Sequence, residues 1–181
     1  MADKITTIPI QIQILEEKDI PTIVNGFEKS GWQTKSETIF KHYLKDQNHD
    51  LRICFIAFLD TEFAGYVTLK WQSSYKSFAK KQIPEISDLN VLPAFRNQGI
   101  GSLLIKTCEN KARERASQSN IIIGIGVGLY PDYGSAQRLY SKLGFLLDGE
   151  GATYDYERVI PGLNYTVDDD LILWFTKVLK K

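Results

Sequence analysis

Apolar residues recur along the chain with a two-residue period in some stretches and with helical spacing in others, and the order of these stretches outlines an α/β domain. Ile10, Ile12 and Ile14 alternate with Gln11 and Gln13 inside Ile8–Leu15, a strand pattern. Glu16–Asp19, followed by Pro21, reads as a helix entry with Ile20, Ile23, Val24 and Phe27 on one face. A second helix is expected from Ser36 to Lys45 on Ile39, Phe40, Tyr43 and Leu44. Leu51–Leu59 and Phe63–Trp71 are apolar strands separated by Asp60-Thr61-Glu62, the polar break of a hairpin. Ser73–Gln82 is polar and reads as a loop with room for a helical turn, and Ile86–Leu92 is a fourth strand. Gly99–Ala116 is the best helix: Ile100, Leu103, Leu104, Thr107, Cys108 and Ala112 share one face, and Lys106, Glu109, Lys111 and Arg113 the other. Ile121–Val127 is a fifth strand, apolar enough for burial on both faces. Ser135–Leu143 is a short helix on Ala136, Leu139, Tyr140 and Leu143, closed by Gly144 in a left-handed position with apolar Phe145 after it. Leu171–Leu179 is a late strand that returns to the sheet, and Met1–Thr7 is expected to be loose. The strand-helix-strand unit from Ile86 to Val127 is a crossover, which makes its two strands parallel neighbours in one mixed sheet.

Length and charge narrow the function classes. The 181 residues suit one domain, 1–181, with a core of its own. The 22 basic and 22 acidic side chains cancel, so no global field favours nucleic acid or an anionic membrane. Cys54 lies in a strand-like run and Cys108 on a helix, the setting of buried reduced thiols rather than of a disulfide scaffold. With no basic-then-apolar leader and no apolar run near the ~20 residues of a membrane span, the cytoplasm is the expected compartment.

The strongest chemical signal is the junction Leu89-Asn-Val-Leu-Pro-Ala-Phe-Arg-Asn-Gln-Gly-Ile-Gly-Ser102. A strand ends at Pro93 and a helix begins near Gly99, so the first N–H groups of that helix have no partner within it and the helix dipole favours an anion beside them. Gly99 and Gly101 carry no β-carbon, which lets a bulky pyrophosphate approach the main chain closely with only Arg96 nearby. Glycines that merely shape a tight turn are the plainer reading. A dinucleotide fold is the sharper rival, but the third glycine of Gly-x-Gly-x-x-Gly is missing: Ser-Leu-Leu104 follows Gly101. Gly124-Ile-Gly126-Val-Gly128 lies inside a strand and opens no helix, and no Gly-Lys-Ser/Thr supplies a P-loop.

Here the chain resembles the GNAT superfamily of N-acetyltransferases. Arg96-Asn-Gln-Gly-Ile-Gly101 fits its Gln/Arg-x-x-Gly-x-Gly/Ala motif, and Ala136-Gln-Arg-Leu-Tyr140-Ser-Lys-Leu-Gly-Phe145 is similar to its Ala-x-x-Leu-Tyr-x-x-x-Gly-Phe segment. The order and spacing of both agree, and the element order extends the likeness over nearly the whole chain. The resemblance implies a mixed central sheet splayed between strands 4 and 5 and flanked by helices, with acetyl-CoA as cosubstrate and no metal. It implies that main-chain groups of Leu89, Asn90 and Val91 hold the acetyl and pantetheine end and that Asn97–Ser102 hold the pyrophosphate. Tyr140 occupies the general-acid position. Glu85 stands where a carboxylate relays a proton through water, with Asp88 as a rival base. One departure matters: family members often carry Asn seven residues before the tyrosine, and here that residue is Tyr133.

Each candidate also has a plainer role: Tyr140 as a core tyrosine, Glu85 as a surface glutamate beside Pro84. His42 and His49 read as surface histidines at a poor separation for a metal. Trp32, Trp71, Tyr75 and Phe78 suit core or rim packing better than an acceptor pocket, and Arg138 and Lys142 a solvated helix face. The three glycines of the fifth strand mark either a bulge or a close approach of ligand to backbone. The acceptor is an amine, on a small molecule or a peptide, that no motif identifies, and a homodimer is left open. A GNAT-like domain that binds acyl-CoA as a sensor or scaffold, without catalysis, is the alternative function.

Overall fold

The computed structural model describes residues 9–31, 35–117 and 119–180. Met1–Thr7, the first residue of the Ile8–Leu15 strand and Trp32 lie outside these described residues. Among the described residues, eight strands form one sheet in the order β1 (Ile10–Ile14), β2 (Arg52–Leu59), β3 (Glu62–Lys70), β4 (Glu85–Val91), β5 (Asn120–Gly128), β8 (Leu171–Lys180), β6 (Leu146–Tyr154) and β7 (Glu157–Arg158). Cα packing divides the chain into two compact units: Met1–Thr68 with Asp88–Leu104, and Leu69–Ser87 with Ile105–Lys181. β3 (Glu62–Lys70), β4 (Glu85–Val91) and α4 (Ile100–Arg115) contribute residues to both.

In the first unit, β1 (Ile10–Ile14) pairs antiparallel with β2 (Arg52–Leu59), from Ile10↔Leu59 to Ile14↔Phe55. The β2–β3 turn falls at Asp60, whose φ of 56° is the left-handed conformation that aspartate tolerates in tight turns. α1 (Ile20–Lys29) has Pro21 in its first turn, where a missing N–H costs nothing, and buries Ile20, Ile23 and Phe27. α2 (Glu37–Asn48) continues one turn past the expected end at Lys45 and buries Phe40. The core is aromatic: the Phe27 ring lies 6.3 Å from Phe40, 5.6 Å from Phe63 and 5.9 Å from Tyr66.

In the second unit, β5 (Asn120–Gly128) pairs antiparallel with β8 (Leu171–Lys180) along its whole length. It pairs parallel with β4 through Glu85↔Gly124 and Ile86↔Ile125, as the crossover rule requires. The Ser73–Gln82 segment contains a helix, α3 (Lys76–Lys81), ended by left-handed Gln82 at φ 53°. It inserts Phe78 beside Tyr75 (4.9 Å) and Trp174 (5.3 Å). That contact explains the glycines of β5. A β-carbon at Gly124 would stand 2.1 Å from the Phe78 ring, one at Gly126 2.9 Å from Trp174, and one at Gly128 2.5 Å from Tyr133. The glycines make room for aromatic rings lying on the strand, so neither a bulge nor a ligand is needed to account for them.

α5 (Gly134–Lys142) ends as expected: Gly144 has φ 85°, and the Phe145 N–H donates to the Tyr140 carbonyl at 3.0 Å. β6 (Leu146–Tyr154) and the short β7 (Glu157–Arg158) have no counterpart in the sequence pattern. Asp148-Gly-Glu-Gly151 breaks the apolar alternation, and the β6–β8 register shifts between Leu147 and Ala152, where Gly149 and Gly151 take φ of 83° and 82°. Glu109 corrects the helical wheel of α4. It is buried, with Lys177 Nζ at 2.6 Å and Arg113 at 3.7 Å, so this face carries a paired charge rather than solvent. Among the described residues, no helix is long and apolar enough to cross a membrane.

Candidate active site

The Pro93–Ser102 junction takes the shape its residue types suggest. A single 3₁₀ turn, Pro93–Phe95, follows β4, and Asn97 (φ 61°) and Gly99 (φ 84°) then turn the chain through two left-handed residues into α4. Asn97, Gln98 and Gly99 are exposed, whereas the Ile100 side chain is buried and fastens the first turn of the helix. The first bond of the helical ladder runs from the Leu103 N–H to the Gly99 carbonyl at 3.0 Å, so the N–H groups of residues 99–102 precede it. They form the donor-rich end of a 16-residue helix, the arrangement that suits a diphosphate. Arg96 turns back along the strand, its Nε donating to the Val91 carbonyl at 3.1 Å, which ties the loop to the end of β4. Val91 is thereby joined to the loop by a side-chain bond as well as by the chain.

β4 is irregular just before those residues. Asp88 has φ 53°, a rare conformation for a non-glycine strand residue, and asparagine and aspartate are the types that adopt it most. Its carboxylate accepts from Lys35 Nζ (2.7 Å), the Tyr43 hydroxyl (2.6 Å), the Tyr66 hydroxyl and Asn90 Nδ2 (2.8 Å). Burial pushes the Asp88 carboxyl up, but the Lys35 ammonium and the hydrogen bonds from Lys35, Tyr43 and Tyr66 hold it below the ordinary value of 3.8. Burial, then the Asp88 charge, pushes the Tyr43 and Tyr66 phenols up, so both stay protonated donors.

Glu85 is not the surface residue its position beside Pro84 suggests; it is 3% exposed. Its carboxylate accepts from Lys70 Nζ at 3.2 Å and from the Ser73 hydroxyl, whose oxygen in turn accepts the Tyr75 N–H at 3.0 Å. Tyr140 is 5% exposed, with the rings of Phe145 and Phe175 at 6.3 and 6.4 Å. Burial pushes its phenol above the ordinary tyrosine value of 10.0. Tyr133, in the place of the usual asparagine, donates its hydroxyl to Asp169 at 2.9 Å, and Tyr130 donates to the same oxygen.

Other candidates take their plainer roles. Tyr75 and Phe78 are buried around Trp174, and Trp71 carries the Arg115 guanidinium 4.3 Å above its ring. His42 and His49 are exposed, the first 3.5 Å from Asp46 and the second bonded to the Lys45 carbonyl at 2.7 Å. Arg138 and Lys142 are exposed on α5. Cys54 and Cys108 are buried and in no disulfide among the described residues, and burial, with the Asp88 charge, pushes the Cys54 thiol up. Sequence reasoning missed the Lys35–Tyr43–Tyr66 cluster on Asp88. The signal present was Asp88 and Asn90 together in a strand interior, where both types are disfavoured.

The sequence model described as the Acetyltransferase (GNAT) family matches residues 17–145. No curated protein matches the sequence significantly. Among solved structures, an acetyl transferase from Salmonella typhimurium that modifies the N-terminal serine of ribosomal protein L7/L12 superposes with a TM-score of 0.69 at 13% identity, over 96% of this chain and 99% of that one. The Salmonella typhimurium protein yncA, with its cofactor acetyl-CoA, gives 0.64 at 17% identity, over 94% and 93%. An acetyltransferase of Streptococcus pneumoniae gives 0.65 at 20% identity, over 94% and 100%. At these identities the likeness is one of fold.

Proposed function

The chain belongs to the acetyltransferase (GNAT) family, and we propose that it transfers an acetyl group from acetyl-CoA to a primary amine by direct attack. The observation that carries this reading is the β4–α4 junction. Left-handed Asn97 and Gly99 present exposed main chain at a helix N-terminus, and Arg96 fastens that loop to the strand. Main-chain groups of Asn97–Ser102 hold the pyrophosphate, and those of Leu89–Val91 the acetyl end. N–H donors aimed at the thioester oxygen also stabilise the charge that develops there.

The amine nitrogen bonds to the thioester carbon, the C–S bond breaks, and two proton transfers complete the exchange. The attacking amine must be neutral, and deprotonating a lysine-like group of pKa ~10.4 at pH 7 costs about 4 to 5 kcal/mol. Glu85 takes that proton through a water. The leaving thiolate of CoA takes its proton from Tyr140, whose buried phenol stays protonated at neutral pH. A buried thiol pushed up, as at Cys54, is a poor nucleophile, which favours direct attack over an acyl-enzyme.

The deciding experiment is a panel of amines assayed with acetyl-CoA by release of the CoA thiol: polyamines, amino acids, lysine peptides and peptides with free N-termini. Because one structural neighbour modifies an N-terminal serine, peptides with small N-terminal residues belong in the panel. Amine-dependent thiol release is expected. Tight acetyl-CoA binding with no turnover on any class favours the non-catalytic acyl-CoA-binding alternative. Ping-pong kinetics with a trapped acetyl-cysteine overturns direct attack.

A further inference from the structure

The proposed reaction leaves the side chains gathered around Asp88 without a task. A left-handed residue inside a strand leaves the ladder and redirects the peptide groups after it, here those of Leu89, Asn90 and Val91. A non-glycine residue keeps such a conformation only where its surroundings fix it. At Asp88 the carboxylate is fixed by Lys35, ahead of α2, by Tyr43 on α2, by Tyr66 on β3 and by Asn90 on β4. The Asn90 amide also donates to the Asp88 carbonyl at 3.2 Å, closing the irregular stretch on itself. From β3, Gly65 lets the main chain come close: a β-carbon there would stand 2.4 Å from the Asn90 carbonyl oxygen and 3.0 Å from the Val91 Cα. Main-chain bonding to β3 is in place at Leu92, whose N–H donates to the Ala64 carbonyl at 2.9 Å. With four donors on it, the carboxylate is badly placed to accept a further proton from an amine, so its effect runs through the backbone it holds.

We propose that Asp88 is a positioning residue: its carboxylate, clamped by Lys35, Tyr43, Tyr66 and Asn90, sets the direction of the Leu89–Val91 main-chain N–H groups toward the thioester carbonyl. The inference rests on the acetyl-CoA reading above and adds to it a group outside the phosphate loop that governs how the acetyl end is held. Affinity for CoA and orientation of the acetyl group are then separable, the first belonging to Asn97–Ser102 and the second to Asp88.

Asp88→Gly separates them, since glycine adopts the left-handed backbone without strain but removes the carboxylate. Three quantities are measured: CoA affinity by calorimetry, amide hydrogen exchange at Leu89–Val91 in ligand-free protein, and the carbonyl stretch of bound acetyl-CoA labelled with ¹³C at the carbonyl. In Asp88→Gly, CoA affinity is expected to match the wild type and exchange at Leu89–Val91 to quicken about tenfold or more. The carbonyl stretch is expected to move back toward its value in water. Asp88→Asn, which keeps the shape, gives smaller changes in the same direction. Wild-type exchange or a wild-type carbonyl stretch in Asp88→Gly overturns the proposal, as does a loss of CoA affinity equal to the loss of carbonyl shift. If Asp88→Gly does not fold, Tyr66→Phe and Asp88→Asn are read by the same outcomes. A wild-type protein that binds no acetyl-CoA refutes the underlying reading instead, and the exchange measurement still decides whether Asp88 fixes the strand.

Discussion

Tyr140 is buried and Asp88 half-buried, and burial disfavours the charged form of both, with opposite outcomes. For Tyr140 it favours the neutral phenol, so the proton proposed for the leaving thiolate is present throughout the neutral range. Tyr140→Phe is expected to lower kcat by roughly 10²- to 10⁴-fold with CoA affinity unchanged, as measured by steady-state kinetics and calorimetry. Full activity in Tyr140→Phe would pass the role to another donor. For Asp88 burial opposes the charge, and Lys35, Tyr43 and Tyr66 outweigh it. Its folded-state value therefore lies below the unfolded one. The ionised carboxylate contributes stability that is present above pH 3.8 and is lost as pH falls through the lowered folded value. The melting temperatures of wild type and Asp88→Asn are expected to lie furthest apart near neutrality and to converge below pH 3.8; a gap that stays constant with pH would contradict this. Asp88 was legible as a candidate carboxylate but not as an anchor. Its partners sit 22 to 53 positions away in sequence, and only folding brings Lys35, Tyr43 and Tyr66 together.

At the scale of elements, period and capping residues were sufficient wherever an element buries one face. α1 begins near its expected residue, and α4 and α5 begin and end near theirs, because Pro21, the Gly99–Gly101 pair and Gly144 punctuate clear apolar stripes. Legibility failed where glycine interrupts the pattern, as in β6, and where a charge is paired across elements, as at Glu109. Gly124, Gly126 and Gly128 belong with these failures, since a sequence shows that a side chain is missing but not what fills its place. The Phe78 ring packs edge-on against the stacked rings of Tyr75 and Trp174 and has little room to retreat from a methyl group at Gly124. Gly124→Ala is expected to destabilise the protein by about 1 to 3 kcal/mol in urea unfolding. Adding Phe78→Ala should make the double variant more stable than the sum of the two single effects. Strict additivity would mean that the ring does not set the glycine.

For the whole molecule, net charge is zero and no long-range field gathers a ligand, so affinity for a nucleotide cofactor must come from local main-chain donors. A ligand held that way binds the folded chain and not the unfolded one. At a hundred times its dissociation constant it adds ~2.7 kcal/mol of stability. In a chain of this size, where each kcal/mol moves Tm by about 2 to 4 °C, saturating CoA should raise Tm by roughly 5 to 11 °C. NADH should leave it unchanged, because the loop lacks the third glycine of a dinucleotide site. Gly101→Val places a branched side chain in the first turn of α4, where the pyrophosphate is proposed to approach the main chain. It should abolish the shift while leaving the ligand-free Tm close to wild type, since residue 101 is only half-buried and outside the left-handed region. If the chain behaves as one domain, the melt is a single transition that CoA moves as a whole, and CoA moving only one of two transitions would show that the two compact units unfold separately. Equal stabilisation by NADH and CoA would remove the two-glycine loop as the basis of cofactor choice. Stabilisation that survives Gly101→Val would place the pyrophosphate elsewhere.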